Sequence, residues 1–206
     1  MKLLILGASG RVGRKIVEHA LTNRHHVVAF VRTPEKLKLT SDYLTVFKGD
    51  VLDRTDLTRA MNGVDLIISA LNTDQTNTLS RSMPLVVEAM GANQLTQIIT
   101  IGTAGILNSR LEPDLYRFQS SESKRRKTTA AEDHLAAFHY LEKSNLDWTV
   151  VCPTYLPDGE AEGNYRVEKD VLPKDGKRIS VGDTAAFAYS LVDNKEFLNT
   201  RVGIAY

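Results

Sequence analysis

Residues 1–14 read MKLLILGASGRVGR, and this stretch decides the fold of the chain. An apolar run from Leu3 to Leu6 meets three glycines spaced three apart, Gly7, Gly10 and Gly13. This order predicts a β-strand, a tight turn and the start of a helix. Gly7 lets the chain leave the strand sharply, Gly10 lets the backbone approach a pyrophosphate, and Gly13 lets the helix pack on the strand. The pattern predicts nucleotide binding, and the alternative is a turn that is rich in glycine for steric reasons alone.

Composition limits the classes of partner. The 206 residues are enough for one domain with a sizeable core, and we predict a single dinucleotide-binding domain over 1–206. A net charge of +1 gives no general reason to expect nucleic acid or an acidic membrane surface, and the basic run 124–127 would point in four directions on a helix. The only cysteine, Cys152, excludes an internal disulfide and a cysteine metal cluster. We therefore predict no metal site, no nucleic-acid or membrane partner, and a cytoplasmic protein.

Short apolar strands alternate with helical segments over the first hundred residues. Strands are predicted at 3–6, 26–31, 44–47, 64–71 and 97–101, and the helices between them at 11–23, 55–61 and 79–90. This alternation predicts an α/β fold, a doubly wound Rossmann-type parallel sheet with helices on both faces. Ligands of such sheets bind at the carboxyl ends of the strands, so every strand end is a candidate site position.

The second half of the chain is less regular. We predict a small C-terminal appendage there, of which residues 154–182 contribute to the substrate site. A long connection at 107–123, typical of a lid or binding segment, precedes a helix predicted from about Ser123 to Lys143. A sixth strand is predicted at 148–152, a further strand within 164–171, a helix capped by Asp183 and running to Val192, and a last strand at 202–205.

The residue that ends the second strand determines which dinucleotide is preferred, because the ribose hydroxyl or its phosphate lies there. An acidic residue would favour NAD, whereas this chain has Arg32. A guanidinium binds phosphate through two parallel hydrogen bonds, and Arg11 in the glycine turn could reach the same group. We therefore predict NADP(H) in preference to NAD(H). The alternative for Arg32 is a solvated side chain at a strand end.

The other strand ends complete the predicted cofactor site. Asp50 is a candidate acceptor for the adenine amino group, although a carboxylate after Gly49 is also common in turns. The cofactor contacts predicted around these strand ends are Gly7, Ser9, Gly10, Arg11, Val12, Arg32, Asp50, Val51, Ala70 and Leu71.

Four stretches carry a resemblance to a known superfamily: Gly7-Ala-Ser-Gly10-Arg-Val-Gly13, Val31-Arg32-Thr-Pro-Glu-Lys36, Gly49-Asp50-Val51 and Leu146-Asp-Trp-Thr-Val-Val-Cys-Pro153. They resemble the atypical short-chain dehydrogenase/reductase families. Within these, the chain is most similar to the NAD(P)H-binding NmrA-like proteins and the flavin reductase/biliverdin reductase B group. The resemblance covers nearly the whole chain and is specific for the superfamily, not for a substrate. It implies an NADP-binding Rossmann fold with a small-molecule or regulatory role.

Comparison with this superfamily exposes a missing pair of residues. Its catalytic members carry a tyrosine and a lysine four residues apart on the long helix, with a glutamate four residues later. Aligning that glutamate with Glu132 puts Lys124 at the tyrosine position and Thr128 at the lysine position. These two residues cannot act as a proton-donating tyrosine and the lysine that lowers its pKa. The biliverdin/flavin reductase group also lacks the pair, and there hydride passes directly from the nicotinamide to a stacked planar acceptor.

The resemblance places the acceptor near the ends of the fifth and sixth strands. Thr103 aligns with the serine after the fifth strand and is our candidate catalytic residue, the alternative being a threonine that bonds only backbone. Pro153 lies where family members contact the nicotinamide, and Tyr116 and Tyr155 are candidate substrate-binding residues, although packing alone would account for either. We predict an NADPH-dependent reductase that passes hydride to a planar acceptor such as a flavin or quinone. The alternative is a non-catalytic, NADP-sensing NmrA-like protein that binds a regulatory protein partner.

Overall fold

The computed structural model describes residues 1–73, 76–123 and 127–206. Within these ranges the strands are β1 (Lys2–Leu6), β2 (His26–Val31), β3 (Leu44–Lys48), β4 (Leu66–Ser69), β5 (Gln97–Ile101), β6 (Asp147–Pro153), β7 (Arg166–Lys169) and β8 (Thr200–Ala205). The α-helices are α1 (Arg11–Thr22), α2 (Arg54–Ala60), α3 (Thr78–Ala92), α4 (Thr129–Glu142) and α5 (Val181–Ser190). Short 3-10 turns lie at Pro34–Lys36, Ala104–Ile106 and Arg117–Gln119.

The strands form one sheet in the order β3-β2-β1-β4-β5-β6-β8-β7. Neighbouring strands are parallel, except that β7 runs antiparallel to β8 at the edge. The chain builds from β1 outward through β2 and β3, and then continues with β4 on the other side of β1. The carboxyl ends of β1 and β4 therefore border the switch point at which doubly wound sheets bind ligands. This arrangement confirms the predicted fold class.

Helices cover both faces of the sheet. One apolar cluster joins Leu4 and Leu6 of β1 to residues of α2, α3 and α4. The other joins Leu3 and Ile5 to residues of α1 and α5. Successive side chains of a strand point to opposite faces, so the continuous apolar run of β1 is what burial on both faces requires.

The ends of two helices differ from the prediction. Ser180, not Asp183, caps α5, because its Oγ accepts a hydrogen bond from the backbone N–H of Asp183 at 3.0 Å. Helix α4 begins at Thr129 and not near Ser123, and residues 124–126 lie outside the described residues. A start at Ser123 would put a run of basic residues at the positive end of the helix dipole, whereas the observed start puts Glu132 there.

Candidate functional site

Backbone contacts that only glycine allows shape the turn between β1 and α1. Gly7 has a φ of +74°, and a Cβ on it would lie 2.6 Å from the carbonyl oxygen of Ala70. A Cβ on Gly13 would lie 2.2 Å from the carbonyl oxygen of Gly7. The backbone N–H of Gly10 donates to that same oxygen at 2.9 Å. Packing therefore requires Gly7 and Gly13 whether or not a ligand binds, which leaves the helix end as the evidence for an anion.

The N-terminus of α1 differs from that of two other helices. Gly10 occupies its N-cap without a side chain, and its first turn contains no acidic residue. In contrast, Asp53 accepts two backbone hydrogen bonds at the start of α2, and Ser180 caps α5. A bound anion would supply to α1 the acceptors that a side chain supplies to those helices. The start of α1 thus fits a phosphate group.

A cleft of about 250 Å³ opens beside this turn, at the carboxyl ends of β1, β2 and β4. Its lining residues are Gly7, Ser9, Gly10, Phe30, Val31, Arg32, Thr33, Lys36, Val51, Ala70, Leu71, Asn72 and Thr78. Seven of the eleven predicted cofactor residues are in this set, and Arg11, Val12, Asp50 and Pro153 are not. The remaining six lining residues were not among the predicted contacts: Phe30, Val31, Thr33, Lys36, Asn72 and Thr78. Phe30 and Asn72 lie beside strand ends that hold predicted residues. Thr78 is the first residue of α3, and the sequence around it does not indicate a place in the cleft.

The wall at the end of β2 is basic. Arg32 and Lys36 both line it, together with the hydroxyl-bearing Thr33. The 3-10 turn brings Lys36 back toward Arg32, because the N–H of Lys36 donates to the carbonyl oxygen of Thr33 at 3.1 Å. Among the described residues that line the cleft, none is acidic. The cleft can therefore attract an anionic ligand at this wall.

Arg11 lies elsewhere than expected. Its Nη1 donates to the carbonyl oxygen of Leu156 at 3.1 Å and to Oδ1 of Asp158 at 2.9 Å. Leu156 and Asp158 follow β6, which lies on the opposite side of β1 from β2. The side chain of Arg11 thus reaches away from Arg32, which corrects the expectation that the two converge on one phosphate.

Asp50 and Val12 have local structural partners. Oδ1 of Asp50 accepts from the N–H of Leu52 at 2.9 Å, which is the turn geometry weighed as the alternative for this carboxylate. The side chain of Val12 is buried in the cluster between α1 and the sheet.

Three predicted residues of the acceptor end lie at or just after the ends of two neighbouring strands. Thr103 comes after β5, and its Oγ1 accepts from the N–H of Gly105 at 3.4 Å at the start of a 3-10 turn. Pro153 is the buried last residue of β6, which pairs with β5. Tyr155 is 62% exposed, and its carbonyl oxygen accepts from the N–H of Ile179 at 3.0 Å. These residues share one edge of the sheet but do not line the cleft at β2.

Tyr116 lies within the connection after β5, and its ring packs on other side chains there. Its ring lies 6.4 Å from that of Phe118 and 6.2 Å from that of His139, and the guanidinium carbon of Arg201 lies 5.5 Å from its centroid. Burial raises the pKa of Tyr116 above its ordinary value. Arg201 is itself buried and donates to the carbonyl oxygen of Ile106 and to Oδ1 of Asn108. The structure therefore does not bring Tyr116 to the cleft. Sequence reasoning missed Arg201 because the last strand was predicted to begin after it.

Other titratable groups lie in the packing beneath the site. Burial lowers the pKa of His134 to about 4, and the neighbouring Asp133 only partly opposes this effect. Burial raises the pKa of the Cys152 thiol to about 12, so this cysteine is a core residue. Oγ1 of Thr128 donates to Oε1 of Glu132 at 2.7 Å, while Lys124 lies outside the described residues.

The described ranges contain neither a metal-binding cluster nor a membrane-spanning helix. No group of three or more His, Cys, Asp or Glu side chains in these ranges is placed to hold a metal ion. None of the helices found there has the length and apolar character needed to cross a bilayer.

A family model described as NAD(P)H-binding matches residues 7–195. The chain belongs to this family. The match begins at Gly7 and includes the glycine turn, the basic wall and the ends of β4, β5 and β6. Membership establishes a nicotinamide dinucleotide as the cofactor and confirms the resemblance to the atypical short-chain dehydrogenase/reductase superfamily.

Curated relatives of this NAD(P)H-binding chain include plant proteins with reductase names. Probable pinoresinol-lariciresinol reductase 3 of Arabidopsis thaliana is 35% identical over 96% of this chain, which covers 65% of that protein. Isoflavone reductase homolog IRL of Zea mays is 32% identical over 43% of this chain and 31% of its own length. The chain thus spans less than two thirds of either plant protein.

Solved structures of similar size share the fold over their full length. A candidate epimerase from Bacteroides thetaiotaomicron is 28% identical with a TM-score of 0.87, covering 100% of this chain and 96% of that one. A candidate NADH-flavin reductase from Streptococcus pneumoniae is 26% identical with a TM-score of 0.82, covering 100% and 99%. Because these two names describe different chemistry, the fold alone does not select an acceptor.

Proposed function

We propose that this protein is an NADPH-dependent reductase that passes a hydride to a planar acceptor such as a flavin or quinone. The observation that carries this proposal is the cleft, where the uncapped start of α1 and the basic wall at β2 border one space. When bound, the dinucleotide supplies the hydride. The residues of this chain would bind the dinucleotide and direct its nicotinamide toward the ends of β5 and β6. The reductase names of the Arabidopsis and Streptococcus proteins support this reading.

The preference for NADPH rests on the wall formed by Arg32, Thr33 and Lys36. A ribose phosphate there would meet two cations and a hydroxyl, whereas NADH presents only a neutral hydroxyl to the same wall. Hydrogen bonds to charged groups contribute about 1.5–3 kcal/mol each. On the apolar side, Phe30, Val51 and Leu71 give adenine a surface to pack on. Asp50 uses Oδ1 in its turn, and we assign its other oxygen to the adenine amino group.

The acceptor site is assigned to Thr103, Pro153 and Tyr155. Tyr155 presents an exposed ring at the end of β6, which suits stacking on a flat acceptor. Because the oxygen of Thr103 accepts from Gly105, its hydroxyl hydrogen can be donated outward to the acceptor or the nicotinamide amide. Thr128 is bonded to Glu132, and we assign the proton that accompanies the hydride to solvent. Positioning and electrostatics carry such a transfer.

Cofactor choice is tested by Arg32→Ala. We expect NADPH to bind roughly 10- to 150-fold more weakly, the equivalent of about 1.5–3 kcal/mol, with little change for NADH. Lys38→Ala is the matched control, because Lys38 is exposed and close in sequence but does not line the cleft. Fluorescence titration of each dinucleotide measures both affinities. Equal losses for NADPH and NADH would refute the phosphate role of Arg32.

Turnover is tested by mixing purified protein with NADPH and a panel of FMN, FAD and quinones. We expect oxidation of NADPH with at least one acceptor, and a lower rate for Tyr155→Ala at unchanged NADPH affinity. Tight binding of NADPH without oxidation across the panel would contradict the reductase proposal. That result would favour the alternative, an NADP-sensing NmrA-like protein with a regulatory protein partner, for which the missing tyrosine and lysine are the supporting observation.

A further inference from the structure

Residues 156–163, here called the strap, cross from α1 to the start of α5. Five hydrogen bonds of 2.8–3.1 Å hold the strap on the start of α5. Three of them are donated to carbonyl oxygens of the strap: Val181 N to Pro157 O, Gly182 N to Gly159 O and Ser180 Oγ to Glu160 O. In the other two, Asp183 accepts from the backbone N–H groups of Glu162 and Gly163. These bonds fix the strap from the α5 side. The strap therefore has anchors besides its contacts with α1.

On its other side the strap meets two cations of α1. Nη1 of Arg11 donates to the carbonyl oxygen of Leu156 and to Oδ1 of Asp158, and Nζ of Lys15 contacts both carboxylate oxygens of Glu160 at 2.7 and 2.8 Å. Because α5 already fixes the strap, these bonds restrain the long cationic side chains. Arg11 is the closer of the two to the candidate anion site, since it is the first residue of α1 and follows Gly10 directly.

The bonds to the strap use only one nitrogen of Arg11. A guanidinium carries five N–H donors, and the Nε and Nη2 side of the group is a fork that matches two phosphate oxygens. Arg11 can therefore bind an anion while it stays bonded to the strap. The side chain of Asp158 is 80% exposed, so solvent screens the repulsion between its carboxylate and a bound phosphate. What remains is the restraint on Arg11.

We propose that Asp158 is a positioning residue that holds Arg11 for the pyrophosphate of the bound dinucleotide. Arg11 adjoins the start of α1, where an anion fits, and its side chain reaches toward β6, away from the wall of Arg32. The phosphate it meets is consequently one that NADH and NADPH share. This inference rests on the cofactor site of the proposed function, and not on the identity of the acceptor.

Fluorescence titrations with NADPH and NADH test the inference. Fixing a flexible side chain in advance removes an entropic cost of binding, so we expect Asp158→Ala to weaken both dinucleotides by the same factor, about three- to tenfold. Glu160→Gln is the matched control, because it disrupts the neighbouring contact of the strap with Lys15 and leaves Arg11 untouched. In an Arg11→Ala background, Asp158→Ala should have no further effect on either affinity.

Several results would overturn the inference. Binding by Asp158→Ala that equals or exceeds wild-type affinity would make Asp158 a bystander or a competitor. A loss that persists in the Arg11→Ala background, or that is matched by Glu160→Gln, would assign the effect to the strap as a whole. A loss confined to NADPH would place Arg11 at the ribose phosphate. If wild-type protein binds both dinucleotides but oxidises neither, the reductase proposal fails while the inference on Asp158 is still decided by these titrations.

Discussion

Asp183 is the residue whose replacement we expect to be most damaging to stability. It is fully buried and accepts hydrogen bonds from the Tyr206 hydroxyl at 2.6 Å and from the backbone N–H groups of Glu162 at 2.9 Å and Gly163 at 2.8 Å. Burial acts to raise the pKa of Asp183, but these hydrogen bonds outweigh it and hold the pKa below its ordinary value. One carboxylate thus joins α5, the strap and the last residue.

Asp183→Asn keeps the shape of the side chain and removes its charge. The amide nitrogen cannot accept, and Asp183 uses Oδ2 for Glu162 and Oδ1 for Gly163. Either orientation of the amide therefore leaves one of these backbone N–H groups without its acceptor. The two hydrogen bonds are partly buried, so a donor that loses its acceptor there costs about 1–3 kcal/mol at most. The remaining bonds also lose their charge assistance, and we expect a total loss of about 2–4 kcal/mol. For a chain of 206 residues this lowers Tm by roughly 5–15 °C.

Urea unfolding followed by the fluorescence of Trp148, the only tryptophan, measures this loss. The pKa of Asp183 is lowered in the folded state, so its contribution is present above the unfolded pKa near 4 and disappears as the pH falls through the folded value. The gap between wild type and Asp183→Asn should therefore be full at pH 7 and shrink below about pH 4. Asp193→Asn, at an exposed carboxylate beyond α5, is the control. A variant within about 0.5 kcal/mol of wild type at pH 7 would refute the reasoning.

Two further predictions concern packing beneath the site, both measured by urea unfolding. Gly13→Ala places a Cβ 2.2 Å from a backbone oxygen and should destabilise by about 3 kcal/mol, whereas Gly91→Ala, which meets no atom within 4 Å in α3, should stabilise by up to about 1 kcal/mol. Similar stabilities would contradict this. Burial lowers the pKa of His134 from 6.5 to about 4, so the unfolded state is protonated first and stability falls as the pH drops from 6.5 toward 4. His134→Asn should flatten that slope and the half-exposed His139→Asn should keep it; an unchanged slope in His134→Asn would refute the assignment.

The fold could be predicted because its information is local. The run Leu3 to Leu6 is apolar at every position, which requires burial on both faces of a sheet, and the glycines that follow specify the turn. Helix ends were less predictable where several residues compete. Ser180 and Asp183 are both good caps, and Asp183 is committed to the strap and to Tyr206, contacts 20 to 23 residues away that no local pattern indicates.

The candidate site, too, has a part that local sequence predicts and a part that depends on distant contacts. The half at the glycine turn could be predicted because strand ends of a parallel sheet meet at one edge, and Gly7, Arg32 and Ala70 each end a strand or its turn. The direction of a long side chain could not be predicted in this way. Arg11 bonds to residues 145 and 147 positions away, and Tyr116 packs under Arg201. The sequence around Arg11 and Tyr116 does not indicate either contact. It is equally compatible with an exposed Arg11 and with a Tyr116 that stacks on a ligand.

The structure links the two halves of the site through the strap. The glycine turn fixes backbone donors at the start of α1, but it does not fix the side chain of Arg11, which follows it. That restraint comes from Asp158 together with the carbonyl oxygen of Leu156, and the segment that holds both is fixed on α5 by Ser180 and Asp183. Asp183, which stabilises the C-terminal part of the chain, thereby also contributes to the position of the Arg11 side chain in the first βα unit. The two carboxylates therefore differ in reach. Loss of Asp183 loosens the whole strap, whereas loss of Asp158 removes only the charged one of the two bonds that restrain Arg11.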